Sequence, residues 1–80
     1  MRAYHIIEQT TDQQTIEVWA DSQEQAIGAY LNRALQGDGY TIERIDHNTM
    51  RANASGEYCT IILQTERIAF VRWTHCNGLY

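Results

Sequence analysis

The fold is set by the stretch IEVWADSQEQA, residues 16–26, in which a period-two pattern of apolar residues gives way to a helical one. Ile16, Val18 and Ala20 lie on one side of an extended chain, because successive side chains of a strand point to opposite faces. Trp19 then lies on the other face, among acidic side chains. The pattern predicts a strand that ends at Ala20 and runs directly into a helix.

The helix is predicted to begin immediately after this strand. Either Asp21 with Glu24 or Ser22 with Gln25 has the spacing of a capping box, which satisfies free N–H groups at a helix start. Gly37 is expected to end the helix in the left-handed conformation. The apolar positions recur at helical spacing and are Ala26, Ile27, Tyr30, Leu31, Ala34 and Leu35. They predict a helix face that covers one side of a sheet.

Five segments have the composition of strands. Residues 3–10 and 15–20 are separated by a polar turn and predict one hairpin. Residues 57–64 and 68–74 surround a short turn and predict a second hairpin. Residues 40–46 predict a further strand between the helix and the second hairpin.

The segment before the second hairpin is less regular. Ile42 and Ile45 fall on opposite faces of their strand, so we expect either a bulge or burial on both sides. Residues 47–56 are polar and rich in turn formers, and they predict a loop longer than most connections.

The order β-β-α-β-β-β predicts an α+β fold of two layers, with one helix packed on a five-stranded antiparallel sheet. With 80 residues the chain is expected to form one domain, residues 1–80, around one small core. The second face of the sheet has no helix to cover it. We expect a partner on that face or at an edge strand.

Two registers of the second hairpin place different side chains in the core. The first puts Ala69, Val71 and Trp73 inside and leaves Phe70 and Arg72 on the other face. A shift by one residue exchanges the two sets. We favour the first register because it keeps the guanidinium group in water.

The composition limits the classes of function. The net charge of -4 argues against a nonspecific nucleic-acid binder, whose affinity comes mostly from cations, and it suits a basic protein partner. No apolar run approaches the ~20 residues that cross a bilayer, and the first residues lack a secretory apolar region. We therefore expect a cytoplasmic protein that does not bind membranes.

The sequence contains no combination of residues that is typical of a catalytic or metal site. Cys59 and Cys76 are interpreted as reduced thiols, because two cysteines are too few for a disulfide framework. No ligand pair has the close spacing of a zinc site, so no cofactor is expected. No thiol lies beside a base, the carboxylates are dispersed, and no glycine-rich phosphate loop is present. The prediction is a protein that is not an enzyme.

A binding surface is the remaining hypothesis. Aromatic and guanidinium side chains on a helix-free face have the composition that is enriched at interface hot spots. The residues predicted to contact a partner are Trp19, Tyr58 and Arg72, together with the acids Glu17, Asp21 and Asp38.

Four stretches resemble small phage-encoded anti-CRISPR proteins of the kind that inhibits type I CRISPR-Cas systems. They are MRAYHIIE (residues 1–8), IEVWADSQEQA (16–26), TIERI (41–45) and RWTHC (72–76). The resemblance implies a noncatalytic protein that binds the RNA-guided surveillance complex, Cascade, and blocks target DNA. An acidic surface that faces basic DNA-binding residues agrees with this role.

A second hypothesis of a different class is a small phage or plasmid accessory protein that acts through self-association. Its homodimer would form through the open sheet face or through an edge strand.

Overall fold

A computed structural model describes residues 1–9, 13–37 and 39–75. The elements are β1 (Arg2–Glu8), β2 (Gln14–Ala20), α1 (Gln23–Ala34), β3 (Thr41–Asp46), β4 (Thr49–Ala54), β5 (Glu57–Leu63) and β6 (Ile68–His75). The strands form one sheet in the order β2-β1-β6-β5-β4-β3. The α+β class with one helix is confirmed. The predicted five-stranded antiparallel sheet is wrong, because the described residues form six strands and β1 pairs with β6 in parallel.

The additional strand is β4, in the segment that was predicted to be a loop. Met50 and Ala52 are buried and alternate with Arg51 and Asn53, so the period-two pattern is present but carried by residues of low strand propensity. Pairing on both sides, with β3 and with β5, overrides that propensity. Asp46 stabilises the turn between β3 and β4, since its Oδ1 accepts a hydrogen bond from the Asn48 N–H at 3.0 Å.

The second predicted pair, Ser22 with Gln25, caps the helix, although the returning hydrogen bond goes to the residue before the N-cap. Ser22 is the N-cap, and its Oγ accepts a hydrogen bond from the Gln25 N–H at 3.2 Å. The Gln25 side chain reaches back and accepts from the Asp21 N–H at 3.1 Å. At the other end Leu35 is the C-cap, and the left-handed residue directly after it is Gln36, with φ +53°; Gly37, the predicted terminator, is also left-handed, with φ +84°.

The first and last strands of the chain pair with each other, as the second and third of the six strands in sheet order. β1 and β2 form the predicted antiparallel hairpin, and β3 to β6 form an antiparallel meander. The parallel pairing of β1 with β6 joins these two parts. Its hydrogen bonds include those from the His5 N–H to the Arg67 carbonyl and from the Gln9 N–H to the Val71 carbonyl, both 2.8 Å.

The helix covers only part of one sheet face. A helix is about 10 Å wide, whereas six strands spaced by about 4.8 Å span roughly 24 Å between the outer two. α1 approaches β1 and β2 most closely, and core residues of β4, β5 and β6 also pack with it, whereas every residue of the outer strand β3 is exposed. Ile42 and Ile45 are 44% and 50% exposed, which makes burial on both sides wrong. The expected bulge is confirmed by a register shift between Arg44 and Asp46.

The core lies between α1 and the covered sheet face. Its members include Tyr4, Ile6, Val18, Ile27, Leu31, Cys59, Ile61 and Val71. The favoured register of the β5–β6 hairpin is confirmed, because Cys59 pairs with Trp73 and Ile61 pairs with Val71. Ala69 and Val71 are buried, Trp73 packs against the core, and Arg72 is exposed. Among the described residues no helix is long and apolar enough to span a membrane.

Adjacent isoleucines of β5 test this arrangement. Ile61 has no exposed surface and Ile62 is 40% exposed on the other face. Ile61→Ala is expected to lower the free energy of unfolding by about 2–5 kcal/mol, because it leaves a cavity in the core. Ile62→Ala is expected to cost less than about 1 kcal/mol. Urea unfolding of both variants measures the difference, and equal losses would contradict the register.

Candidate functional site

The sheet face that points away from α1, the open face, carries a cluster of cationic, aromatic and apolar side chains at its centre. The pairing puts Arg72 opposite Thr60 and Thr60 opposite Arg51, in a row across β6, β5 and β4. In neighbouring rows Phe70 lies opposite Ile62, and Tyr58 lies diagonal to Arg51. We call this set the central patch: Arg51, Tyr58, Thr60, Ile62, Phe70 and Arg72.

Arg51 is held in place by its neighbours. Its guanidinium carbon lies 4.8 Å from the centre of the Tyr58 ring, a cation–π contact. Its Nη1 lies 4.0 Å from Oε1 of Glu43 on β3. Its Nε is buried and has no hydrogen-bond partner among the described residues. One donor of this cation is therefore unsatisfied within the described part of the chain.

Arg72 differs from Arg51 in having no such support. It is exposed, and it lines a shallow depression of about 230 Å³ with Gln9, Thr60 and Ile62. Within residues 1–9, 13–37 and 39–75 it makes no hydrogen bond or ion pair. The structure thus presents a free, planar, five-donor cation beside an apolar side chain and a hydroxyl group.

The other residues predicted to contact a partner lie at a corner of the sheet. Trp19 is 58% exposed, and its Nε1 donates a hydrogen bond of 3.0 Å to Oε1 of Glu17. Glu17 also lies 3.5 Å from Nε2 of His5, and Asp21 lies 3.5 Å from the N-terminal ammonium group. Asp38 lies outside the described residues.

The predicted contact residues therefore form two groups. From the strand registers, Trp19 is roughly 30 Å from Tyr58 across the sheet. The expected cluster of Trp19, Tyr58 and Arg72 is not formed. Tyr58 and Arg72 belong to the central patch, whereas Trp19, Glu17 and Asp21 form a separate corner. Sequence reasoning missed Arg51, because its segment was interpreted as a loop.

Metal-binding side chains do not converge in the described part of the chain, where no group of three such residues is found. Cys59 is a free, buried thiol, and burial raises its pKa to about 11, so it is protonated at neutral pH. Cys76 lies outside the described residues.

A polar network that sequence reasoning also missed connects the helix to β1 and β6, the first and last strands of the chain. The Tyr30 hydroxyl group, on α1, donates a hydrogen bond to Oε2 of Glu8 on β1. The hydroxyl oxygen of Tyr30 in turn accepts a hydrogen bond of 2.8 Å from Nε1 of Trp73 on β6. The sequence does contain a sign of this network. Glu8 follows the buried Tyr4 and Ile6 at period-two spacing, so its side chain lies on the same, helix-covered face of β1.

The Tyr30 network holds structure together rather than supplying a base. Burial, followed by the hydrogen bond to Glu8, raises the pKa of Tyr30 far above its ordinary value. The phenol therefore stays protonated and remains a donor. A depression of about 190 Å³ beside it is lined by Glu8, Ile16, Val18, Tyr30, Arg33 and Ala34.

Compared with known proteins, the chain matches no family model, no curated protein and no solved structure.

Removal of the Tyr30 hydroxyl group tests the network. Tyr30→Phe is expected to lower the free energy of unfolding by about 1–3 kcal/mol, because the Trp73 N–H loses its acceptor and Glu8 loses a donor. Tyr40→Phe is the matched control, since no hydrogen bond of the Tyr40 hydroxyl is found in the described residues, and it is expected to be nearly neutral. Equal losses in urea unfolding would contradict the role of the network.

The raised pKa of Tyr30 also predicts a dependence on alkaline pH. Folding favours the protonated phenol, so this contribution to stability is complete below the unfolded-state pKa of about 10 and is lost as the pH rises above it. The stability difference between the wild type and Tyr30→Phe should be constant from neutral pH to about pH 9 and shrink above about pH 10. Urea unfolding across this range measures it, and a constant difference at every pH would refute the assignment.

Proposed function

We propose that the protein is a noncatalytic protein-binding module and that its open face is the contact surface. The observation that carries the proposal is the central patch, in which an exposed Arg72 without a partner in the described residues lies among Tyr58, Ile62 and Phe70. Aromatic side chains and arginine carry most of the binding energy in protein interfaces. Two arginines beside apolar and aromatic side chains suit a partner with a carboxylate next to an apolar side chain.

The basic residues of the chain are of the type that is enriched in protein interfaces. All six basic residues of the chain are arginine, and lysine is absent. Arginine is enriched in protein interfaces and lysine is depleted, because the guanidinium group is weakly hydrated and binds a carboxylate through two parallel hydrogen bonds. The net charge of -4 argues against nucleic acid as the direct ligand.

The more specific proposal is an inhibitor of a type I CRISPR surveillance complex that acts in the cytoplasm of a bacterial host. The resemblance to phage-encoded anti-CRISPR proteins supports it, as does the acidic corner of Glu17 and Asp21, with Asp38 as a further predicted acid. Carboxylates that face the basic DNA-binding residues of Cascade would speed association and occupy the path of target DNA. Binding would be stoichiometric and would need no cofactor.

Two assays test this proposal. Purified type I complexes of several subtypes are mixed with the protein for pull-down, and target-DNA binding is then measured with and without it. The expected result is a stable complex that no longer binds target DNA. If no subtype is captured and none loses DNA binding, the inhibitor proposal is wrong.

Variants of the central patch locate the contact. Arg72→Ala and Tyr58→Ala are expected to weaken binding to the captured complex at least tenfold, corresponding to about 1.4 kcal/mol or more. Arg2→Ala is the matched control, because Arg2 is an exposed arginine of β1 on the covered side of the sheet. Its affinity should equal that of the wild type. Calorimetric titration measures all three, and an unchanged affinity for both patch variants would exclude the patch from the interface.

A further inference from the structure

The edge strands of the sheet are β2 and β3; among the described residues β2 pairs with β1 alone, in a register without interruption. The main-chain groups of His5 and Gln9 point toward β6. Because these groups alternate in direction along a strand, those of the even-numbered residues of β1 point toward β2. Through the antiparallel β1–β2 register, Thr15, Glu17 and Trp19 then direct their main-chain groups away from the sheet.

A second copy of the chain fits this edge in one self-complementary register. Two identical strands that pair antiparallel are related by an axis perpendicular to the sheet, so opposed residues must lie on the same face. With Val18 on the axis, Trp19 lies opposite Glu17 of the second copy, and Ile16 lies opposite Ala20 of the second copy. Apolar side chains then meet on the covered side, and on the open side an indole donor meets a carboxylate acceptor.

The neighbouring registers of β2 are less favourable. With Glu17 on the axis, two carboxylates lie directly opposite each other, which is destabilising. With Ile16 on the axis, the buried Val18 lies opposite the polar Gln14. Only the register centred on Val18 keeps apolar residues opposite apolar ones and avoids like charges.

The other edge, β3, is less suitable for self-pairing. Its bulge between Arg44 and Asp46 interrupts the regular alternation of main-chain groups. The registers nearest to full overlap put Glu43 opposite Glu43 or Arg44 opposite Arg44. A register centred on Ile42 avoids this but pairs only residues 41–43 of the strand. These features are typical of an edge that is protected against pairing.

We propose that the protein forms a symmetric homodimer through β2, in which two six-stranded sheets join into one continuous sheet. The main chain of Glu17 and of Trp19 supplies the hydrogen bonds between the copies. The two-fold axis is perpendicular to the sheet, so the open faces of both copies lie on the same side of the joined sheet. They form one surface, and the two Trp19–Glu17 corners lie side by side at its centre. This dimer is independent of the proposed binding to a surveillance complex.

Charge supports the same arrangement. Arg33 is exposed at the end of α1 and lines the same depression as Ile16. In the proposed register Thr15 lies opposite Asp21 of the second copy, so the acidic beginning of the second helix approaches Arg33. Two such pairings, related by the axis, place opposite charges on either side of the interface.

Sedimentation across a concentration series tests the dimer. A single edge-to-edge contact is small, so we expect a dissociation constant on the order of 10 µM. Glu17→Pro should make the protein monomeric, because it removes an outward N–H while leaving the hydrogen bonds to β1 intact. Glu17→Gln keeps that N–H and should remain dimeric, and circular dichroism confirms that both variants fold. A wild type that is monomeric up to about 300 µM, well above the expected constant, overturns the proposal.

Disulfide trapping tests the register independently, in a background in which Cys76 is replaced by serine. Val18→Cys puts two cysteines on the axis with Cα atoms about 4.5 Å apart, within the range of a disulfide. Ile16→Cys, the matched control two residues away, puts them about 14 Å apart. The first should form covalent dimers at least about tenfold faster on mild oxidation. Equal rates overturn the register, and a dimer that persists in Glu17→Pro overturns the use of this edge.

Discussion

The parallel pairing of β1 with β6 is the constraint on which the rest of the structure depends. The β1–β2 hairpin and the β3–β6 meander each form from neighbouring segments, but this pairing makes them one sheet. Tyr30 reinforces it from the helix, because one hydroxyl group binds Glu8 on the first strand and Trp73 on the last. A contact between the two ends of the chain thus positions the helix over the sheet.

The mismatch between one helix and six strands determines what the protein presents to solvent. α1 packs on one face of the sheet, where residues of β1, β2, β4, β5 and β6 form the core with it, and the opposite face carries no helix among the described residues. Side chains that are far apart in the sequence become neighbours on the open face. The pairing of β4, β5 and β6 places Arg51, Thr60 and Arg72 in one row. The chain is acidic overall, yet the centre of its open face is cationic. The local charge of this patch is therefore opposite in sign to the net charge of the chain.

Much of the fold was predictable because its signals are local. The alternation in β2, the cap at Ser22 and the register that buries Val71 each depend on residues a few positions apart. β4 was not predictable in the same way, because alanine and asparagine have low strand propensity and only pairing with two neighbours makes them extended. The misplaced apolar residue Ile45 predicted either a bulge or burial on both sides, and the structure has the bulge.

The sequence by itself determined the α+β class, both predicted hairpins, the helix limits and the faces of β5 and β6, because hydrophobic periodicity and capping act over short distances. Only the tertiary structure decided the strand order, the parallel pairing of β1 with β6 and the composition of the site. Trp19 and Tyr58 were expected in one contact surface but lie at different places on the sheet. Arg51, which was not predicted, lies in the central patch with Arg72. Strand order depends on contacts between residues far apart in the chain. The hydrophobic periodicity of one strand shows which face is buried but does not show which distant strand pairs with it.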